Sequence, residues 1–597
     1  MLFRTFRVAA MVVGCLPAAS HAQEPAYVAS WSDGTTMPAD GPLMWIGKEL
    51  RPELGKTSPL VGNNPLRRLR HAALVRQHYS GGRVELLGGD RVTGRVIEFL
   101  TAGTDGPGRP DCLVVEPVMA PDEPLTELPP RLRIPITRIR RVVWEERHPR
   151  PYRPNTLVYR DGRQIAFRSL RWLPGEVRLL VEQGTESIAW DDIAEVHLSE
   201  RDGWEEYADQ LAIIAPDAAS KLIRIETPSG LRVTTSLERL RVTGDVAKPE
   251  SQLFLVHPAW SLDRFTIPHR LVSSQTFFAP HEVPLSNLEP SGYAHRAALG
   301  EGWRQWRADA DVQGDPLVCG EREFAWGFGV HGSSDLQFDL PPYARAFRTF
   351  VGLDRAAGDG GCVRARIYFG ANLEVGGPLG RPLFETPPII GSAKPIDSGR
   401  LELRPAGGRI NRLILSSDAL AFDHPPQTDP LDVRDVVDWC EPLVELDPAA
   451  VKAAVLKHAA SLFVRETRWN VQGTYGEAWR FQTHAYADRS GLVIEALRRP
   501  LTVWRNVALP PDAATLVVYG GVPDDRGGTV KAKLLIGGQA QGEGVVATMT
   551  DLGRPPELRL PIPPTFRGRE LRCDVVFQGT TEVLRVDVRA LRIVAAN

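Results

Sequence analysis

The sequence has few cysteines, and they are scattered. Six occur in 597 residues, and none belongs to a C-x-x-C or Cys/His group with the spacing of a metal site. The sequence therefore offers no metal site built from neighbouring cysteine and histidine residues. Cys319 and Cys362 lie in one predicted domain and are our candidate disulfide pair, with isolated buried thiols as the alternative.

The sequence also lacks an excess of charge of one sign. It has 71 basic and 73 acidic residues, for a formal net charge of -2. This balance gives no general reason to expect nucleic acid or an anionic membrane as a partner. Residues 131–153 are locally basic and include Trp144. We interpret them as the solvated face of a β-barrel and expect no nucleic-acid partner.

Long hydrophobic runs are missing as well. No run approaches the roughly 20 apolar residues that span a bilayer, so we expect no membrane-spanning segment. The N-terminus has the order of an export signal: basic "MLFRTFR", apolar "VAAMVVGCLPAA", and small residues at Ser20 and Ala22. We predict a signal peptide, 1–22, cleaved after Ala22, and a secreted, periplasmic or cell-surface protein. Alternatively, "VVGC" resembles a lipobox and Cys15 carries a lipid anchor.

Recognisable catalytic motifs are absent too. No G-x-S-x-G, H-E-x-x-H or P-loop occurs in a suitable context. The segments "GTYGEAW" and "DVVDW" offer carboxylates, but a glycosidase pair must face across a cleft, which a sequence does not show. We interpret the protein as non-catalytic, and a glycoside hydrolase with an unrecognised site is the weaker alternative.

What the sequence does contain is a turn-rich series of strands, with 54 glycines and 50 prolines. Between 71 and 290 a pattern recurs three times: a hairpin, a middle strand and a closing pair of short strands. We predict an all-β, multidomain chain with three small β-barrels in tandem, at 71–150, 151–202 and 222–290. They are similar in pattern to Sm-like or SH3-like barrels, and one continuous large sheet would contradict their separation.

The remaining segments complete the predicted domain order. It comprises an irregular leader at 23–70, a helical linker at 203–221, a central domain at 291–447, a linker helix at 448–466 and a C-terminal β-sandwich at 467–597. The linker helix is amphipathic, with Asp447 at its N-cap and Pro448 at N1.

The central domain holds an unusual run, "EREFAWGFGVHGSSDLQFDLPPYARAFRTFVGLD". Aromatic residues, glycines and a histidine precede an alternating strand, a V-G-L-D segment and a glycine-rich turn. This pattern resembles the NPCBM domain, a carbohydrate-binding module associated with glycoside hydrolase family 98. The matching positions are Gly327, Gly329, His331, Ser334, Phe350, Val351, Gly352, Leu353, Asp354, Gly360, Gly361, Val363, Asp438 and Trp439.

The resemblance implies a jelly-roll β-sandwich that binds glycan. The candidate glycan-binding residues are Trp326, His331, Ser334, Asp354 and Trp439, and the candidate structural glycines are Gly327, Gly329 and Gly352. Each residue also has a purely structural role open to it. The tryptophans fit a core, and His331 fits a hydrogen bond at a strand end. Asp354 fits a turn cap or a structural calcium, and we expect no other cofactor.

Two hypotheses follow from different classes of protein. In the first, the chain is a secreted carbohydrate-binding protein whose partner is a glycan or polysaccharide. In the second, it is a cell-surface scaffold that uses the same folds for protein contacts.

Overall fold

The computed structural model describes most of the chain. The described residues are 26–39, 41–46, 51–77, 79, 81–102, 110–121, 130–145, 152–216, 218–245, 248–296, 305–371, 373–377, 379–404, 411–419, 425, 428, 432–467, 469–473, 479–484, 489–494, 500–523, 529–549, 556–579 and 586–595. The predicted signal peptide lies outside them.

The segment predicted as an irregular leader contains five strands. They are β1 Tyr27–Trp31, β2 Thr36–Ala39, β3 Met44–Ile46, β4 Arg51–Glu53 and β5 Leu66–His71. Strand β1 pairs with both β2 and β5. Short apolar stretches explain the difference, because Ala29, Trp45 and Leu69 are buried in the N-terminal core. Exclusion of these side chains from water stabilises the ordered segment.

Three repeat units follow. Unit 1 contains β6 Arg83–Leu86, β7 Arg91–Leu100, β8 Cys112–Pro117, β9 Leu132–Pro135 and β10 Ile139–Val143. Unit 2 contains β11 Thr156–Tyr159, β12 Gln164–Ala166, β13 Ser169–Leu173, β14 Glu176–Val181, β15 Gly184–Ala189 and β16 Ile193–His197. Unit 3 contains β17 Leu222–Glu226, β18 Arg232–Ser236, β19 Arg241–Thr243, β20 Leu253–Val256, β21 Phe265–Pro268 and β22 Ser274–Phe278. In each unit the last strand pairs with the first, and one 3-10 turn precedes that last strand.

The units are joined rather than separate. Strand β10 pairs with β16, β7 with β18, and β22 with β5. These ladders make one 14-stranded hydrogen-bonded network, which corrects the expectation of three independent barrels. The closing strands β10, β16 and β22 supply the physical reason for two of these ladders, because the backbone groups on their free edges pair with a neighbouring strand instead of facing water.

Two packed sheets form the central sandwich. Its strands are β23 Glu282–Pro284, β24 Gly292–His295, β25 Arg307–Ala308, β26 Val318–Cys319, β27 Arg322–Glu323, β28 Gly327–His331, β29 Ser334–Leu340, β30 Ala344–Leu353, β31 Cys362–Gly370, β32 Phe384–Glu385, β33 Ile389–Ile390, β34 Ile396–Asp397, β35 Leu401–Glu402, β36 Asn411–Asp418 and β37 Val436–Leu446. One sheet has the order β25-β28-β37-β30-β34, and the other has the order β24-β29-β36-β31-β32. Phe328, Phe338 and Phe347 fill the space between them.

The C-terminal part forms a second sandwich, as predicted. Its strands are β38 Asn470–Gln472, β39 Trp479–His484, β40 Arg489–Ile494, β41 Leu501–Ala508, β42 Ala513–Pro523, β43 Val530–Ile536, β44 Gln539–Val546, β45 Thr548–Met549, β46 Glu557–Pro561, β47 Glu570–Gly579 and β48 Val586–Ala595. They make sheets of five and six strands. The all-β prediction for the chain is confirmed, with long helices limited in the described residues to α1 Gly203–Ile214 and α2 Pro448–Thr467.

The two helices connect the β-domains. Asp202 caps α1 by accepting from the backbone of Trp204 and Glu205, and Asp447 caps α2 by accepting from Ala450 N at 2.9 Å, as predicted. The helices pack together, with His458 Nδ1 3.0 Å from Asp209 Oδ1. Neither helix has the length and apolar composition that crossing a bilayer requires, as far as the described residues extend.

A buried histidine in unit 3 is expected to make the fold acid-labile. Burial, followed by the charges of Arg239 and Arg264, lowers the pKa of His257 to about 3. Arg239 Nη2 lies 2.8 Å from His257 Nδ1, so that ring nitrogen accepts the hydrogen bond in the neutral form. The unfolded chain binds this proton near pH 6.5 and the folded chain near pH 3, so stability falls as the pH falls through this window.

We expect His257→Gln to weaken this pH dependence. The amide oxygen of glutamine accepts from Arg239 but does not titrate. At pH 4 the wild-type protein should lose about 3 kcal/mol from this group relative to pH 7, and the variant should not. Urea unfolding at both pH values measures the difference, and equal losses in the two proteins would contradict the assignment.

Candidate functional site

The unusual run lies at the centre of the central sandwich. Strand β28 pairs with β25 on one side and with β37 on the other. The chain then turns at Gly332 and Ser333, with Ser333 at a φ of 58°, and enters the opposite sheet as β29. His331 and Ser334 therefore lie at one end of the sandwich, where the chain crosses between its sheets.

The glycines of the run lie where protein backbone packs closely. At Gly327, with a φ of 152°, a Cβ would lie 2.1 Å from the carbonyl oxygen of Trp439. At Gly329 a Cβ would lie 2.4 Å from the Asp311 Cα. At Gly352 a Cβ would lie 3.0 Å from the Cys319 sulfur. At all three positions the space beside the glycine holds protein atoms, which supports a structural role.

The two candidate tryptophans lie in the core. Trp326 is 2% exposed and Trp439 is 0% exposed. Trp326 meets Phe278 edge to face, with ring centroids 5.3 Å apart. Neither ring presents a face to solvent, so neither is placed to stack on a sugar. Their burial corrects the expectation of a tryptophan platform, because large aromatic surfaces are stabilised by exclusion from water.

His331 and Ser334 form a polar cluster with a third residue, His295. The Ser334 hydroxyl donates to the His331 carbonyl oxygen at 2.6 Å and lies 3.1 Å from His295 Nδ1. The rings of His295 and His331 meet edge to face with centroids 5.8 Å apart. His331 itself is only 4% exposed, and its Nδ1 lies 3.9 Å from Asp432 Oδ2.

Sequence reasoning missed the part of this cluster that reaches the surface. Tyr293 and His295 lie on the edge strand β24, are half-buried, and stack with an interplanar angle of 2°. The signal was present in "GYAH", because residues two apart on a strand share one face. We call Tyr293, His295, His331 and Ser334 the histidine cluster.

Asp354 lies at the same end of the sheet but faces its own turn. Its backbone N–H donates to the Val436 carbonyl, and His331 pairs with Val436 from the other side of β37. The Asp354 carboxylate accepts from Ala356 N at 2.7 Å and from Val318 N at 3.2 Å, and the residue is 4% exposed. The turn-capping role therefore accounts for its position.

The candidate disulfide pair is not brought together. Cys319 Sγ lies 3.8 Å from the sulfur of Cys440, not of Cys362, and all three thiols are free and buried. Cys362 lies instead on β31, beside Asp435 and Thr428. Sequence spacing did not reveal the real neighbour because β37 brings Cys440 back across more than a hundred residues.

Within the part of the chain that the structure describes, one group of side chains has the geometry to hold a metal ion. Ligand atoms of Cys319, Asp438 and Cys440 lie within 4.8 Å of one another. Burial, with Cys319 as the next cause, raises the pKa of Asp438 and of Cys440 well above their usual values. Two thiols among three donors do not suit calcium, which prefers oxygen ligands. This cluster therefore lends no support to a calcium ion beside Asp354.

We expect His331→Ala to act on stability first. The side chain is buried against His295 and Asp432, so its loss should lower the free energy of unfolding by about 1–3 kcal/mol. His295→Ala, at a half-buried edge position, should cost less than about 1 kcal/mol. Urea unfolding and glycan binding of both variants test this, and an unchanged His331→Ala stability with lost binding would reverse the assignment.

Comparison with known proteins agrees with the resemblance predicted from the motif. Residues 281–393 match the family model of the NPCBM/NEW2 domain. The match begins before the predicted boundary at 291 and includes the whole histidine cluster. It covers about a fifth of the chain. No curated protein matches the chain.

Two solved structures are also similar to the chain. One is CBM51 from Clostridium perfringens GH95 in complex with methyl-galactose, with 18% identity over 27% of this chain and 99% of that one, and a TM-score of 0.22. The other is CBM51-2 with INT domains from Clostridium perfringens ZmpB in complex with GlcNAc, with 17% identity over 36% of this chain and 44% of that one, and a TM-score of 0.22. At this TM-score neither likeness establishes a property of this chain.

Proposed function

We propose that the chain is an exported, non-catalytic glycan-binding protein whose central sandwich holds the sugar. The observation that carries this proposal is the NPCBM/NEW2 match over residues 281–393. The histidine cluster supports it, because sugar C–H faces pack on aromatic rings and hydroxyls need fixed polar partners. Tyr293 offers the ring, and His295 and Ser334 offer the polar atoms.

The burial of the nearby carboxylates supports the non-catalytic part. Asp435 and Asp438 of the "DVVDW" segment are 2% and 0% exposed. Asp435 accepts a hydrogen bond from the backbone N–H of Cys362 at 2.8 Å, so its carboxylate holds the start of β31 in place. A glycosidase pair has to reach the scissile bond from both sides, which neither buried group does. Glu477 of "GTYGEAW" lies outside the described residues.

The test is a glycan array with the full chain, followed by two variants of one residue. Tyr293→Phe keeps the aromatic face and should retain binding. Tyr293→Ala removes the ring and should weaken binding by about tenfold, the cost of one lost aromatic contact. A full chain that binds no glycan would favour the cell-surface scaffold, and turnover of a polysaccharide would favour the hydrolase.

Export is a separate part of the proposal. It rests on the order of basic, apolar and small residues at the N-terminus. N-terminal sequencing of the mature protein should find Gln23 first. A lipid-modified Cys15 would instead make the protein a membrane-anchored lipoprotein.

A further inference from the structure

A charged cavity opens where the N-terminal strands, units 1 and 3 and the central sandwich meet. Its empty space is about 530 Å³ when the open solvent at its mouth is included, and the room for water-sized molecules within it is about 50 Å³. Five arginines line it: Arg68, Arg70, Arg76, Arg91 and Arg232. They come from distant parts of the sequence, so only the folded chain assembles them. We call this feature the arginine cavity.

Three carboxylates also line the arginine cavity, and three of the arginines form ion pairs with them. Arg232 forms ion pairs with Glu226, at 2.6 Å, and with Asp309. Arg68 and Arg70 share Glu323, at 3.5 and 3.3 Å. Five arginines against three carboxylates leave a lining with two positive charges in excess.

The other two arginines donate hydrogen bonds to backbone carbonyl groups and form no ion pair among the described residues. Arg76 Nη1 donates to the Asp309 carbonyl at 3.1 Å, and Arg91 Nε donates to the Gly230 carbonyl at 2.9 Å. Burial, followed by the charges of Arg76 and Arg232, lowers the pKa of Arg91 well below its usual value. The neighbouring arginines therefore disfavour the charge of Arg91, and Asp309 offsets this only in part.

A buried donor points to the same conclusion. Arg68 is 6% exposed, and its Nε has no hydrogen-bond acceptor among the described residues. A buried guanidinium donor without an acceptor is unfavourable unless a ligand or a water molecule accepts its hydrogen bond. Arg76 is exposed at the mouth, whereas Arg68 and Arg232 lie deep. An anion entering the cavity would thus meet arginine both where the cavity opens and where it is buried, in a lining with more arginines than carboxylates.

We propose that the arginine cavity binds an oxyanion, the carboxylate or sulfate group of an acidic glycan. The planar donors of arginine match such oxygens in pairs, and partial burial strengthens each contact. The choice of a glycan as the molecule that bears the oxyanion rests on the proposed function. The oxyanion site itself rests only on the geometry and charge of the cavity, which is distinct from the histidine cluster.

The experiment uses the full chain, two salts and three oligosaccharides. Thermal unfolding is measured with sodium sulfate against sodium chloride at equal ionic strength, because general screening acts in both. Calorimetry then measures binding of trigalacturonate, a sulfated chondroitin tetrasaccharide and neutral galactotriose. Arg76→Gln and Arg76→Gln/Arg91→Gln remove the two arginines that contact no carboxylate, and exposed Arg163→Gln is the control.

Sulfate should raise the melting temperature of the wild-type protein and of Arg163→Gln more than chloride does. The double variant should lose the part of this extra rise that binding causes, whereas the general stabilisation by sulfate, which is excluded from protein surfaces, remains in every variant. The double variant should also bind the acidic oligosaccharides at least tenfold more weakly, and Arg76→Gln should lie between. Equal sulfate and chloride effects, or equal behaviour of wild type and double variant, would overturn the site. Binding of sulfate without binding of any glycan would support the oxyanion site and contradict an acidic glycan as its ligand. Binding of the neutral glycan alone would support the proposed function and contradict this inference.

Discussion

Gly329→Val is expected to abolish stable folding of the central sandwich. A Cβ at this position would lie 2.4 Å from the Asp311 Cα and 2.5 Å from the Ala310 carbonyl oxygen. Both atoms belong to backbone, which cannot turn aside as a side chain does. The Gly329 N–H also donates to the Ala310 carbonyl at 3.0 Å. The cost should therefore reach or exceed about 3 kcal/mol, the upper end for overpacking.

Gly370→Ala is the matched control in the same sandwich. There the nearest atom to a new Cβ is the Leu373 Cγ at 3.5 Å, an ordinary contact. Urea unfolding of the full chain, followed by the fluorescence of its tryptophans, compares the variants. A Gly329→Val protein that unfolds like Gly370→Ala would show that the close packing around β28 is not as described.

Arg232→Met is expected to cost about 3–5 kcal/mol, because it leaves two buried carboxylates without their cation. Arg232 is 4% exposed and pairs with Glu226 of unit 3 and Asp309 of the central sandwich. Burial alone would raise the pKa of Glu226, but the charges of Arg232, Arg68 and Arg224, with Arg232 the largest of the three, together outweigh it and lower the pKa to about 2. Both carboxylates are thus charged at pH 7 and depend on this arginine.

A triple variant separates lost charge pairing from lost packing. Arg232→Met combined with Glu226→Gln and Asp309→Asn removes Arg232 together with the charges of both its partners, and it should recover most of the stability lost by Arg232→Met alone. The free energy of unfolding in urea at pH 7 is the measurement. A loss below about 1 kcal/mol for Arg232→Met would mean that water or other cations compensate the charges of the two carboxylates without Arg232.

The residues of the candidate site were predictable in part. The spacing from Gly327 to Asp354 was sufficient to predict the family resemblance that the comparison confirms. The roles of single residues were less accessible. Trp326 and Trp439 are of the residue type that forms sugar platforms, yet both are buried. The exposure of a side chain on a strand depends on what packs against that strand, which the local sequence does not show.

Pairing across long distances was also beyond sequence reasoning. Cys319 lies beside Cys440 because β37 returns through the middle of the sheet, and no local spacing encodes this. The same reason hid the ladders that join the repeat units. A strand pattern predicts that a strand exists, but its second neighbour depends on which free edge lies nearby.

The sequence by itself determined the all-β class, the three repeat units, the second sandwich and the capped helix α2, because alternation, turn residues and caps are local signals. Only the tertiary structure decided which of these residues meet. It united the repeat units in one network, paired Tyr293 and His295 with His331 at the end of the sandwich, and collected the lining of the arginine cavity from distant segments. Charge and burial at such junctions are properties of packed surfaces, which a linear pattern does not contain.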